Sequence, residues 1–312
     1  MPNSTFDNLL TTTLDKHRAS FVDAIFKARP LAYWLKRAGN IEMVSGGDKI
    51  IEPLVYAENG TVETYSGNDI LSTEDTAILS ASSWDWKQLS VAVRMTGIDE
   101  AKNSGPEAIM NLLGAKVQVA QESAISRFNT MFHANGAGNG GKDWNGLLNL
   151  IEPITGTIGG IDANANTYWR PAFRNTASEA ISLARMRTAY NSAAKGNDSP
   201  DVILTTQTLY EAYEAILTPN MRYEDKVAGE GGFQSLVFKG TPIVYDEDNA
   251  AGNMYFINSK YLKLKGHTNK WFSMTPFVTP NNQDVRTARL LAYGNLVVNN
   301  RRMHSVLTGK TA

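Results

Sequence analysis

Apolar residues recur along this chain with two different periods. Phe6, Leu10, Leu14, Phe21 and Ile25 stand four or seven apart, which predicts an amphipathic helix over residues 5–27 that Pro30 ends. After Ser45-Gly46-Gly47 the run 49–56 reads as a strand, and Pro53 marks it as an edge. In the run 84–95, Leu89, Val91, Val93 and Met95 alternate strictly, while Trp84 and Trp86 sit on the opposite parity. A slip or bulge near Lys87 and Gln88 is needed to bring all six to one face. The two runs are expected to pair as a long hairpin. The segment between them is too long for a tight turn and too acidic to bury. Such an arm has no core of its own and should lie on something else.

The longest helical pattern follows Gly105-Pro106. Ile109, Leu112, Leu113, Val117, Ala120, Ala124, Ile125, Phe128 and Met131 form one stripe at a 3.6-residue period, predicting a helix over 107–133. At a rise of 1.5 Å per residue it is roughly 40 Å long. The glycine-rich run from Asn135 to Gly141 ends it. A further helix is expected over 178–194 with Ser178 as its cap, then a short buried strand at 201–205 and a helix over 207–217 stopped by Pro219. Strand patterns recur at Phe238, 243–245, 254–257, 262–264, 272–277 and 290–298. This order is α+β, without internal repeats.

Composition narrows the function. With 312 residues, 42% hydrophobic and 20% charged, the chain is globular, and no apolar stretch approaches the roughly 18 residues of a membrane span. Asp7, Asp15, Lys16, Arg18 and Asp23 interrupt the first thirty residues, so no signal peptide is read there and cytoplasmic synthesis is expected. The absence of cysteine excludes disulfides, thiolate nucleophiles and Cys-based metal sites, and four scattered histidines leave little else; no cofactor or metal is expected. The net charge of −1 hides a polarised layout. Residues 1–40 carry +3, residues 41–104 carry −7, and residues 285–312 carry +5 from Arg286, Arg289, Arg301, Arg302 and Lys310. A basic face over the whole domain is missing, which argues against sequence-specific DNA reading. The layout fits either a solvated acidic surface or complementary charge between copies of the chain.

Catalytic patterns are weak. Gly136, Gly138 and Gly141 satisfy G-x-G-x-x-G, and Lys142 extends this to a near-Walker pattern with Asp143 in place of the final hydroxyl residue. A phosphate cradle needs a strand before it and a helix after it, whereas a long helix precedes this loop. Asp246-Glu247-Asp248-Asn249 resembles a cation-binding run but reads more simply as a solvated turn. His17, His133, His267 and His304 have no neighbouring ligand spacing. Trp84 and Trp86 flanking Asp85 suit a contact surface as well as a sugar platform.

The run Asn145-Gly146-Leu147-Leu148-Asn149-Leu150-Ile151, then Thr155-Gly156-Thr157-Ile158-Gly159-Gly160-Ile161-Asp162 and Tyr168-Trp169-Arg170, resembles the central region of tailed-bacteriophage major capsid proteins of the HK97-type fold. Phe238 to Asp246, Met254 to Asn258 and Leu290 to Leu307 are similar to that family's later strands, so the resemblance spans nearly the whole chain. It implies an N-terminal arm at 1–40, an extended two-stranded loop at 41–104, a peripheral domain at 105–160 and 278–312 with spine helix 107–133, and an axial domain at 161–277. It implies hexamers and pentamers forming an icosahedral shell in the virion around double-stranded DNA. The DNA would be held by non-specific contact. Partners would be other copies of the chain, a portal, and a separate scaffolding or decoration protein, with no membrane and no catalysis. An encapsulin-like nanocompartment is the alternative within the same fold, and a phosphate-binding enzyme using the Gly136 loop is the alternative outside it.

Two expectations concern maturation. About forty residues precede Ile41, too few for a fused scaffold, so no proteolytic trimming is expected. A Lys87 cross-link to Asn299 or Asn300 is not expected either, because no acidic residue follows Asp284 to act as base. For contacts between subunits the candidates are Trp84 and Trp86 as apolar anchors and Arg286, Arg289, Arg301 and Arg302 as partners of the acidic arm.

Overall fold

The computed structural model describes residues 29–74, 77–102, 106–217 and 236–312. The helix expected over 5–27, and Pro219, lie outside them. Pro30 begins a helix of its own. In α1 (Pro30–Arg37) it occupies the first turn, where its missing N–H costs nothing, and Leu31, Ala32, Trp34 and Leu35 are buried.

Two sheets organise the molecule. The first, five-stranded, contains β1 (Ile41–Val44), β4 (Lys87–Thr96), β10 (Leu262–His267), β11 (Ser273–Met274) and β12 (Val285–Val298). Strand β12 is its axis: β4 runs antiparallel along 285–294, while β11 and β10 pair at 290–291 and 294–298. Strand β1 pairs parallel with β10. The long helix α2 (Pro106–His133) lies along this sheet, placing Val117 against Val93, Met95 and Ala288, and Phe128 and Phe132 in the main core with Phe272, Leu290 and Leu296. The predicted stripe is thus the buried face over the part of the helix whose side chains are described.

The second sheet, six-stranded, has the order β7 (Leu236–Phe238), β8 (Thr241–Tyr245), β6 (Val202–Thr205), β9 (Met254–Ile257), β13 (Ser305–Leu307), β5 (Phe173–Asn175). Ile203, Ile243, Met254, Phe256 and Leu307 face a core shared with α3 (Leu183–Ala193) and α4 (Gln207–Ile216). Val202, Leu204, Val244, Tyr255, Ile257 and Val306 face the main core. Burial on both faces explains why these strands read as unbroken apolar runs. Helix α3 starts later than expected, with Ser182 and not Ser178 accepting from the Arg185 N–H, because Glu179–Ala180 pairs with Lys310–Thr311.

The hairpin differs from the expectation. Strand β2 (Ile50–Val55) pairs with β3 (Leu79–Trp84), and the run 84–95 is cut at Asp85-Trp86. The parity change between Trp84 and Leu89 is therefore a strand break, and β4 leaves the hairpin to join the first sheet. Strand β2 pairs with β3 alone, which suits Pro53 on an edge. Residues 262–267 and 273–274 pair within the first sheet, and Ser305–Leu307 lies in the second.

Candidate functional site

The residues expected to make contacts between subunits have different fates. Trp84 is 4% exposed and belongs to the core of its own subunit. Its ring lies over Gly159, whose φ of +57° and lack of Cβ are both required: a methyl there would stand 2.6 Å from the indole. The Ser83 N–H donates to the Gly159 carbonyl at 2.8 Å. The glycine turn that carried the resemblance is thus the seat of the hairpin root. Trp86 is half-buried and donates its Nε1–H to the Gly47 carbonyl at 2.9 Å. Trp84 as an anchor on a neighbour is ruled out by this burial.

Arg301 is corrected in the same way. It is 0% exposed, and its guanidinium donates to the carbonyls of Leu150 (2.6 Å), Trp169 (2.7 Å) and Pro153. The segment 150–169 wraps around this cation, which meets no carboxylate among the described residues, and burial pushes its pKa down to about 10. His304 beside it is fully buried, accepts from the Asn258 N–H through Nδ1, and is pushed down to about 3 by burial and by the Arg301 charge. Lys310 is spent internally too, on Glu179, Asn175 and the Ala177 carbonyl. Of the remaining arginines, Arg286 is half-buried, while Arg289 and Arg302 are exposed.

The acidic arm is also partly neutralised at home. Glu52, 2% exposed, and Glu42 enclose Lys265 and Lys263 where β1, β2 and β10 meet, so four charges sit at the hairpin root. Burial raises the Glu42 pKa, but the two lysines outweigh it and hold the carboxyl below the usual range. Asp85 faces Lys49 and Asp99 faces Lys116. Past the root the picture reverses. Ile51, Val55 and Leu79 point outward, and the connecting loop carries exposed Glu58, Glu63, Asp69 and Glu74 among Val62, Tyr65, Ile70 and Leu71. Ile70 is 96% and Val62 85% exposed, on a segment that contains no lysine or arginine from residue 50 to residue 86. Sequence reading registered the acids of this loop and missed its apolar residues, although they were visible at intervals through it.

The two chemical motifs take structural roles. The Asp143 carboxylate bonds Arg127 of α2 and lies where a Cβ on Gly138 would stand, and Asn139 and Gly140 turn left-handed. That geometry fills the loop with an acid where a phosphate would need donors. The turn 246–249 is solvated only at Glu247 and in part at Asp248. Asp246 is 3% exposed, 3.4 Å from His133, and the Asn129 amide donates to Asp246 and Asp248, so the turn clamps the end of α2. Burial raises the Asp246 pKa and is outweighed by His133, the Asp248 N–H and the Asn129 amide. Among the described residues no cluster of three metal-ligating side chains occurs, and no helix is long and apolar enough to cross a membrane.

No family model and no curated protein matches the chain. Solved structures do. The subunit in the cyanophage A-1(L) capsid asymmetric unit is 17% identical with a TM-score of 0.68, over 86% of this chain and 90% of that one. The capsid of a native GTA particle gives 11% and 0.63, over 89% and 90%. The chain has the HK97-like capsid fold. The SrpI encapsulin of Synechococcus elongatus PCC 7942 shares it as well, at 13% identity and a TM-score of 0.58 over 89% and 87%. Within this fold the outer half of the hairpin and its acidic loop expose several apolar side chains.

Proposed function

We propose that this chain is the major capsid protein of a tailed bacteriophage, assembling as hexamers and pentamers into an icosahedral virion shell around double-stranded DNA. The observation that carries the reading is a hairpin whose root is buried in its own subunit and whose outer half exposes Ile51, Val55, Val62, Ile70 and Leu79. Such apolar area on a soluble subunit marks an interaction surface. The likeness to capsid subunits over 86–89% of the chain supports the kind of partner, other copies of the chain. In this reading residues 1–40 are the arm, the β2–β3 hairpin the extended loop, the first sheet with α2 the peripheral part, and the second sheet with α3 and α4 the axial part. The subunit's work is structural; a portal, and a scaffolding or decoration protein, complete the particle.

Electron microscopy of negatively stained, purified protein tests this. Uniform closed particles are expected, and a chain that stays monomeric at high concentration and low salt refutes it. The likeness to an encapsulin supports a second reading, a nanocompartment with protein cargo. Nuclease-protected DNA inside the particles favours the first, and a co-purifying enzyme without DNA the second.

A further inference from the structure

Beyond β13 the second sheet brings an amine, a carboxamide and a carboxylate together inside one subunit. Lys310 is 4% exposed, and its Nζ donates to Asn175 Oδ1 at 2.7 Å, to the Ala177 carbonyl at 2.5 Å and to Glu179 Oε1 at 3.1 Å. Lys310 and Asn175 are 135 residues apart in sequence, so the meeting is made by the fold. Two parallel pairings fix it. Leu307 lies opposite Asn175 where β13 runs beside β5, and Lys310 lies opposite Glu179 where Lys310–Thr311 runs beside Glu179–Ala180. Between these pairings the Thr308 N–H donates to the Asn175 carbonyl at 2.8 Å, and the Lys310 N–H donates to the Gly252 carbonyl at 2.9 Å. Glycine is required at 252, because a Cβ there would stand 2.8 Å from the Lys310 carbonyl oxygen. Backbone contacts alone therefore hold the three groups within reach of one another, and that proximity replaces a chance encounter.

Each group suits one role in amide exchange. Attack of an amine on a carboxamide needs a nucleophile, a base for its protons, and a donor where negative charge grows on oxygen. Lys310 Nζ is the nucleophile. Lys310 and Arg185 hold the Glu179 carboxyl below the usual range, so it is ionised and open to a proton, and Arg185 Nε at 2.9 Å steadies it. The Ala177 N–H donates to Asn175 Oδ1 at 3.0 Å, the atom on which charge develops. We propose that Lys310 and Asn175 of the same subunit join in an isopeptide bond, with Glu179 as the base. Glu179 takes one proton from the Nζ ammonium, and the freed lone pair forms the bond to Asn175 Cγ. The second Nζ proton passes to the amide nitrogen as the Cγ–Nδ2 bond breaks, and that nitrogen collects the first proton from Glu179 and leaves as ammonium. Charge and atoms balance without oxidant or cofactor. The bond closes a loop of 135 residues and ties the strand after β13 to the sheet edge at β5.

Mass spectrometry of the folded, purified full chain tests this, whether or not the subunit forms shells. The intact mass should fall by one ammonia, and trypsin should yield a branched peptide joining residues 175–185 to residues 303–312, uncut after Lys310. Lys310→Arg and Glu179→Gln should each restore the full mass and abolish the branched peptide, while a cooperative thermal melt shows that each variant is folded. Folded wild-type protein of full mass overturns the proposal. So does an ammonia loss with Lys310 still cut by trypsin, which would place a succinimide at Asn175 instead. A branched peptide that persists in Glu179→Gln overturns the assignment of the base.

Discussion

Replacing Arg301 by methionine should unfold the subunit sooner and not merely weaken its association. A hydrogen bond to a charged group contributes about 1.5–3 kcal/mol, so the three carbonyl contacts of Arg301 supply roughly 4.5–9 kcal/mol. Against this stands desolvation. A pKa moved from 12.5 to about 10 corresponds to roughly 3 kcal/mol, at about 1.4 kcal/mol per unit. The bonds outweigh the burial cost. Methionine removes that cost but leaves the buried carbonyls of Leu150, Pro153 and Trp169 without their donor at about 1–3 kcal/mol each, so a net loss of about 3–5 kcal/mol is expected. For a chain of 312 residues that lowers the melting temperature by roughly 5–8 °C. Urea titration and thermal melting of the unassembled subunit are the assays, with exposed Arg302→Met as the control that should stay within about 0.5 kcal/mol. Lysine at 301 should recover part of the loss, since one ammonium cannot serve three divergent carbonyls. A methionine variant within 1 kcal/mol of wild type would refute the argument.

Other outcomes follow from the same geometry. Neutral His304, with its folded pKa near 3 against 6.5 unfolded, leaves the unfolded state binding the extra proton between those values, so stability falls as pH drops from about 6.5 to 3. His304→Asn, which keeps an acceptor for the Asn258 N–H, should move the acid-unfolding midpoint downward; an unmoved midpoint would assign acid sensitivity elsewhere. Trp84→Ala should cost about 3–5 kcal/mol in the isolated subunit, read by the same urea titration, because it empties a core position and not an interface. Glu52→Gln leaves Lys265 half-compensated by Glu42 and should speed amide exchange in Ile50–Val55 and Leu79–Trp84 more than in the first sheet. Assembly followed by light scattering should slow between 0.1 and 1 M salt, where the Debye length falls to roughly 3 Å; an unchanged rate would mean the exposed charges are merely solvated.

Much of the fold was legible because period reports burial. The stripe of α2, the doubly buried strands β6 and β9 and the edge proline of β2 all carried their environment in local sequence. What escaped was non-local. The parity change after Trp86 was visible, but a break and a bulge give the same pattern, and only pairing with residues 285–294 distinguishes them. Arg301 sits three residues past a strand and beside Arg302, and its burial depends on carbonyls some 130 to 150 positions away. Counting charges by segment treated Glu52 and Glu74 alike, although one is locked between lysines at the root and the other is exposed on the loop.

The hairpin can be considered as a lever. Its root is held at points close together: Trp86 on Gly47, Ser83 on Gly159, Asp85 through its carbonyl to Asn295, and Glu52 between its two lysines. From there the two strands extend about 20 Å at 3.3 Å per residue before the loop begins. A tilt of roughly 10° at the root displaces the far end by about 3–4 Å over that length, more than the reach of a hydrogen bond. Where the loop arrives is therefore decided at two holds, the root and the stack of Tyr56 on Tyr168 at the far end, and a substitution buried beside Trp84 or Lys265, or at Tyr168, would be felt as misalignment of the loop.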